Sequence, residues 1–497
     1  MEKVKQKYNL FSGKALFLLI LPIVIESALS MSLGMIDGLM ASDAKGAAAD
    51  EILSAITGVD QISSLIIQLF SAFGVGGSVI CAQLLGGGKV EDANKSAKQL
   101  LVISLLVSLF FTGLCLALNN QIVGLLFGES GESTKENAYI YFYINSASYP
   151  FVAIFNTCAA LLRAQRKSMN TMISGIISFG LNVGFNALFI YVFKLGIAGV
   201  ALGTLIARIF PAAFTLGLMT KKSNLVRIKI FEKFRFDGKL LKRILRLAIP
   251  SGIENSFFQL GKILVISFIS IGVYNTVITV DGVTDLVNYH TSANSVAYNV
   301  NTVSSIVGNG INTSVLTVIG QAVGTGDMGC VKHYVKKMLG ISYVGNALCV
   351  AFAFGMSPLL LDFYNISPES RDIAWQCLLL CLPIQIVTYP LSFGMPAVLK
   401  ANSDMKYVMG SSVFSMLLMR VGLCYLLTCE WVGAQLGAMG LWIGMVSDWG
   451  LRSAFFLGRY LSGSWKKSSG LIKDYPDYGD SEIVAEREVE KLFMGEI

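Results

Sequence analysis

Glu26 and Asp37 lie eleven residues apart in an otherwise apolar stretch near the start of the chain. On a helix, at about 100° per residue, eleven residues make about three turns. That puts both carboxylates on one face, within about 20° of each other and about 16 Å apart. Carboxylates stacked in this way can hand a proton or a metal cation along a path. An ionisable side chain at membrane depth costs at least about 2.5–3.5 kcal/mol, which makes each one a candidate for function. The alternative for Asp37 is a solvated place at the outer interface, because Ala41-Ser-Asp-Ala-Lys45 follows closely.

Glu254 and Lys262 form a second constellation. With Phe258 between them they fall at i, i+4 and i+8, near one face of a helix. Glu254 is read as a proton or substrate-cation ligand, or else as a member of a buried ion pair. Asp448 stands four residues before Arg452, the spacing of a simple helix salt bridge, and is read as structural. Asp60 and Arg208 remain secondary candidates near the interfaces. Two histidines, with no His-Glu-x-x-His and no Gly-x-Ser-x-Gly, give no support to a hydrolase, and the chain is read as a non-enzyme without a cofactor. The nine cysteines include no Cys-x-x-Cys, and Cys377 and Cys381 are read as packing residues.

These charges must be held by membrane helices. The chain is 54% apolar and 14% charged, against roughly 45–50% and 25% in soluble domains. Twelve mostly apolar stretches run near residues 15–40, 52–85, 98–118, 137–162, 169–193, 195–219, 247–272, 286–323, 338–361, 373–399, 407–428 and 436–458. Each is long enough to cross a hydrocarbon core of about 30 Å. The predicted fold is an all-α polytopic membrane protein with twelve transmembrane helices, six in each of two bundles.

The two bundles are copies. Pro22-x-x-x-Glu26 recurs as Pro250-x-x-x-Glu254, Gln83-Leu-Leu-Gly-Gly-Gly as Gln321-Ala-Val-Gly-Thr-Gly, Tyr149-Pro150 as Tyr389-Pro390, and Leu195-Gly-Ile-Ala-Gly as Leu436-Gly-Ala-Met-Gly. Four landmarks in one order mark a duplication, the usual architecture of secondary transporters. The expected organisation is a bundle over 1–220, a basic linker over 221–246, a second bundle over 247–463 and a tail over 464–497. With both termini inside, 31 of the 39 Lys and Arg fall on the cytoplasmic side and four outside. The formal charge of +7 therefore reports topology and not nucleic-acid binding. The linker holds ten basic residues, read as a topology determinant, with anionic lipid contact as the alternative. The tail suggests a short amphipathic surface helix. Pro22 and Pro250 favour kinks at matching points, while Gly74, Gly76 and Gly77 point to close helix packing.

Leu21-Pro22 followed by Gly34-Met-Ile-Asp37-Gly, then Gln83-Leu-Leu-Gly-Gly-Gly, Leu181-Asn182-Val-Gly-Phe-Asn186 and Gly196-Ile-Ala-Gly-Val-Ala-Leu-Gly-Thr204 together resemble the multidrug and toxic compound extrusion (MATE) family over residues 10–460. The resemblance implies bundles related by a pseudo-two-fold axis along the membrane normal. It also implies antiport of small organic, often cationic, substrates against Na⁺ or H⁺, and the protein is expected to work as a monomer in the cell membrane. Its coupling-cation site implies Asp37, Asn182, Asn186 and Thr204, with Na⁺ at Asp37 as the metal case. Glu26, Glu254 and Lys262 are then the residues for substrate or proton.

Some members of the family carry Asp where this chain has Asn186. One branch places a Glu where this chain has Phe258, and the tenth span here lacks a carboxylate. In the second copy Asp37 falls on Val265, Asn182 on Arg420, Thr204 near Met445 and Gly34 on Lys262, so the coupling cation is expected in the first bundle. A lipid-linked glycan flippase, using Arg208, Lys262, Arg420 and Arg452 on pyrophosphate, and a non-transporting sensor are the competing functions.

Overall fold

The computed structural model describes residues 10–42, 47–127, 131–229, 236–270, 274, 276–280, 283–364, 366–429 and 435–468, with side chains left aside at 34–39, 41–42, 47–54, 276–280, 283–287, 363 and 467–468. The side chain of Asp37 and the expected tail helix lie outside the described residues.

In hydrocarbon every backbone donor and acceptor must be met within the chain, so each apolar stretch closes its bonds as a helix. Twelve rods result. The first six are α1 (Gly13–Ser42), α2 (Ala47–Gly86), α3 (Val90–Ala117), α4 (Glu132–Ala147 and, past a break at Ser148, Tyr149–Ala164), α5 (Ser168–Ala187, extended by a π-turn Leu188–Val192) and α6 (Gly196–Thr220). A two-turn helix, Asn119–Leu126, joins α3 to α4. The second six are α7 (Gly238–Ile269), α8 (Tyr289–Gly324), α9 (Met328–Phe363), α10 (Pro368–Tyr389, π-turn Pro390–Gly394, Met395–Ala401), α11 (Met405–Ser415, π-turn Met416–Leu423, Cys424–Thr428) and α12 (Ala438–Leu461). Between α7 and α8 sits one antiparallel hairpin, β1 (Thr276–Val280) on β2 (Val283–Val287), paired Thr276 to Val287 and Val280 to Val283. Among the described residues, nine helices are apolar enough over a full span to cross a bilayer.

The duplication is written into the backbone. Arg166 and Ser403, Lys194 and Gln435, Gly88 and Gly326, and Gly196 and Gly437 all adopt positive φ, at sequence offsets of 237 to 241. Each pair ends or opens the same helix in its own copy.

The chain divides into two compact units. One runs to Asn255 and includes Leu316–Val331; the other takes Ser256–Val315 and the described residues from Lys332 onward. The first packs Phe70, Tyr141, Phe142 and Tyr149 at its centre, with Phe70 edge-on to Tyr149. The second packs Trp442, Trp449, Cys377 and Cys381, so both cysteines are core residues. The start of the linker is pinned to the first unit: the Val226 amide donates to Gln165 Oε1 at 2.9 Å and the Arg227 amide to Asn94 Oδ1 at 2.7 Å. Beside it Lys167 donates to Asn224 Oδ1, and burial pulls its ammonium below the ordinary lysine range.

Glycine sets the closest approaches. A Cβ on Gly77 would stand 2.0 Å from Leu100 Cδ2, on Gly76 3.0 Å from the Ala248 amide, and on Gly74 3.2 Å from the Asn156 carbonyl. These are the packing roles that the sequence suggested. The duplicated glycine-rich helix ends cross each other reciprocally: a Cβ on Gly86 would lie 2.0 Å from the Gln321 carbonyl oxygen, and one on Gly324 2.1 Å from that of Gln83. Arg166 fastens the crossing by donating to Gln321 Oε1 at 2.7 and 2.9 Å. Because the obstacle is backbone, Gly86→Ala is expected to cost about 1–3 kcal/mol through overpacking. It should appear as a lowered melting temperature of the purified protein, whereas Gly88→Asn, in open space at positive φ, should leave the melting temperature nearly unchanged.

Candidate functional site

Residues of α1 and α5 meet in ascending order, so the two helices run parallel. Ser168 Oγ donates to the Leu18 carbonyl at 3.2 Å, and Thr171 Oγ1 donates to Glu26 Oε2 at 2.7 Å. The first contact explains how α1 runs through Pro22 without a bare carbonyl. Proline has no N–H for the oxygen four residues back, which is that of Leu18, and the serine hydroxyl supplies the missing donor. Glu26 is an ion-pair member: Arg163 Nη1 approaches its Oε1 at 2.8 Å. Sequence spacing had no means of finding Arg163, which lies 137 residues away at the end of α4.

Further along α5 the second partner is α6, which runs antiparallel. Ser178 Oγ donates to the Ala207 carbonyl at 2.9 Å. Asn182 Nδ2 donates to Thr204 Oγ1 at 3.4 Å, and Asn186 Nδ2 donates to Asn182 Oδ1 at 3.3 Å. All three side chains are buried, both asparagines completely. The helices come this close because of Gly199 and Gly203. A Cβ on Gly199 would sit 3.0 Å from Phe189 Cβ, and one on Gly203 2.0 Å from Asn186 Oδ1. The seam ends in the π-turn Leu188–Val192, an irregularity that often accompanies functional positions in helices. Amide and hydroxyl oxygens gathered at one seam are ligands for a hard cation. The structure thus brings together Asn182, Asn186 and Thr204, while Asp37 contributes a backbone position on α1 only.

The other ionisable candidates are distributed around this unit. Asp60 Oδ1 accepts from the Tyr141 hydroxyl at 3.2 Å. Arg208 donates to Asn145 Oδ1 and, at 2.7 Å, to Ser148 Oγ, so it braces the break in α4. Asn145 in turn donates to Ser63 Oγ at 2.9 Å, joined by the Tyr149 hydroxyl at 3.1 Å. Glu254 is buried on α7, four residues past Pro250, at 6% exposure.

The equivalent seam of the second unit carries different chemistry. Gly440 and Gly444 of α12 stand where Gly199 and Gly203 stand in α6; a Cβ on Gly444 would lie 2.2 Å from Cys424 Sγ. Across this seam Arg420, on the π-turn of α11, pairs with Asp448 at 3.5 Å, and Ser415 Oγ donates to Asp448 Oδ1 at 2.7 Å. The i, i+4 spacing to Arg452 had pointed along α12; the partner found for Asp448 is on α11. Lys262 donates to the Tyr298 hydroxyl at 3.1 Å.

Two substitutions test the first unit. Gly203→Ala should displace Asn186 and lower stability by about 1–3 kcal/mol. Glu26→Gln leaves Arg163 half-buried beside a neutral amide and should destabilise by about 1–3 kcal/mol, less than for a fully buried pair. Thermal unfolding of the purified variants gives both values. Wild-type stability for Glu26→Gln would show that the ion pair does not hold α1 to α4.

Comparison with known proteins agrees with this architecture. The MatE family profile matches the chain twice, over residues 22–188 and 250–426. The uncharacterized transporter YisQ of Bacillus subtilis is 25% identical over 91% of this chain and 94% of its own length. The probable multidrug resistance protein NorM of Thermotoga maritima is 22% identical over 93% of this chain and 95% of its own. Among solved structures, the outward-facing conformation of a multidrug resistance MATE family transporter of the MOP superfamily superposes with a TM-score of 0.80 at 22% identity, covering 93% of this chain and 99% of that one. Doubly matched by the family profile and built as two six-helix copies, this multi-pass membrane protein belongs to the MatE family of transporters.

Proposed function

We propose that this protein is a secondary antiporter that exports small organic molecules in exchange for H⁺ or Na⁺, by alternating access across the cell membrane. The observation that carries the reading is the buried oxygen-bearing seam of Asn182, Asn186 and Thr204 between α5 and α6. The parallel register of α1 and α5 supports including Asp37. Glu26 meets Thr171; eleven residues further along each helix stand Asp37 and Asn182, both about 16 Å up the pair.

Coupling requires that the cation bind one state more tightly than the other. A carboxylate wetted in one state and enclosed in the other meets that need, because enclosure favours its protonated or cation-paired form. Substrates on this reading are organic cations among others, with Glu26, Glu254 and Lys262 as the residues for substrate or proton. Both termini face the cytoplasm, as the positive-inside bias requires. The protein works as a monomer in contact with lipid.

The test is efflux of a fluorescent organic cation from proteoliposomes under an imposed pH or Na⁺ gradient. Wild type should show gradient-driven efflux, and Asp37→Asn should slow it about tenfold or more. Undiminished, gradient-dependent efflux in the mutant would remove Asp37 from the coupling site. Movement of labelled lipid-linked sugar without dye would favour the flippase, and no flux of either a sensor.

A further inference from the structure

We propose that Ser178 is a positioning residue for the oxygen-bearing seam between α5 and α6, acting through a proline inside α6. That proline is Pro211. Having no N–H, it leaves the carbonyl four residues back, that of Ala207, without its helical donor, and its ring crowds the same oxygen. In hydrocarbon such a carbonyl must find a donor within the protein. The Ser178 hydroxyl of α5 is that donor, at 2.9 Å. The arrangement recurs ten residues earlier on α5, where Ser168 donates to Leu18, four residues before Pro22 of α1. Serine and threonine inside helices commonly bond back to their own turn, as Thr215 does to the Pro211 carbonyl at 2.7 Å. Ser168 and Ser178 instead reach across to other helices, each to the carbonyl four residues before a proline. One helix thus fastens two proline sites.

Fastening at Ala207 governs what lies beside it. On antiparallel α5 and α6 the Ser178–Ala207 and Asn182–Thr204 contacts are successive rungs, four residues on along α5 and three back along α6. Ala207 and Thr204 both precede Pro211, in the half of α6 that Gly199 and Gly203 bring close to α5. The tie at Ala207 therefore sets how that half rests on α5. The distance from Asn182 Nδ2 to Thr204 Oγ1 is already 3.4 Å, so a small displacement of α6 breaks the contact. Ser178 need not touch a cation to matter. It orients Thr204, as outer residues orient the ligands of a metal site.

The inference deepens the antiport reading and rests on it for the coupling ion, whereas the fastening itself is measured without any ion. Wild type, Ser178→Ala, Pro211→Ala and the double variant form a cycle of full-length proteins. Pro211→Ala gives the Ala207 carbonyl a backbone donor within α6, which makes the Ser178 hydroxyl redundant. Amide hydrogen exchange in nanodiscs without Na⁺ should show lost protection over residues 199–210 in Ser178→Ala. The double variant should keep that protection, and Ser178→Thr, which retains the hydroxyl, should match wild type. In proteoliposomes the Na⁺ or proton concentration for half-maximal dye efflux should rise about tenfold in Ser178→Ala and return in the double variant, with the half-saturating dye concentration unchanged. A serine that only stabilised the fold would lower the amount of active protein without moving that midpoint. Independent, additive losses in the double variant, or a midpoint that stays in place while protection falls, would overturn the proposal. Rescued exchange with no ion-dependent efflux in wild type would sink the antiport reading and leave the role of Ser178 in placing α6 standing.

Discussion

Two helix seams closed by glycine govern what this protein can do. Gly199 and Gly203 let α6 lie against α5, and Gly440 and Gly444 do the same for α12 against α11. A side chain at Gly203 or Gly444 would have to push aside Asn186 or Cys424, since a Cβ there would stand 2.0 or 2.2 Å from the facing side-chain atom. Close approach removes room for water, so whatever polar groups lie on a seam must satisfy one another or a ligand. The seam residues therefore define the chemistry of each unit.

Duplication kept the seams and changed their charge. In the first copy the seam is neutral and rich in oxygen, from Asn182, Asn186 and Thr204. In the second copy Arg420 replaces the asparagine and meets Asp448, with Arg452 and Lys262 nearby around Phe258. The same backbone thus carries a neutral, oxygen-bearing seam in one copy and a charged seam in the other. Each seam also carries a π-turn, Leu188–Val192 in the first copy and Met416–Leu423 in the second, but at different points: Met416–Leu423 holds Arg420, the counterpart of Asn182, which lies in regular α-helix.

Much of this was legible from residues alone. The twelve spans follow from hydropathy, because hydrocarbon admits only helices with closed bonding. The duplication follows from ordered landmarks, and the structure repeats it in four pairs of positive-φ residues. Asn182, Asn186 and Thr204 came from family likeness, and the fold brings them within reach of one another. The partners of Glu26 were not legible: Arg163 and Thr171 reach it from two other helices, and no spacing encodes that. Nor did the Asp448–Arg452 spacing reveal Arg420. The hairpin over 276–287 was missed although Asp281-Gly282 between β-branched stretches is a turn signal, because hydropathy reads length and not alternation.

The most direct measurement is the transient current that a Na⁺ or proton jump evokes from protein adsorbed on a solid-supported membrane, compared between variants of the two seams. Asn186→Leu removes oxygen from the first seam and should abolish the current. Asp448→Asn removes the carboxylate of the second and should leave it in place. A current that survives Asn186→Leu and vanishes with Asp448→Asn would move the coupling cation to the second unit and contradict the account.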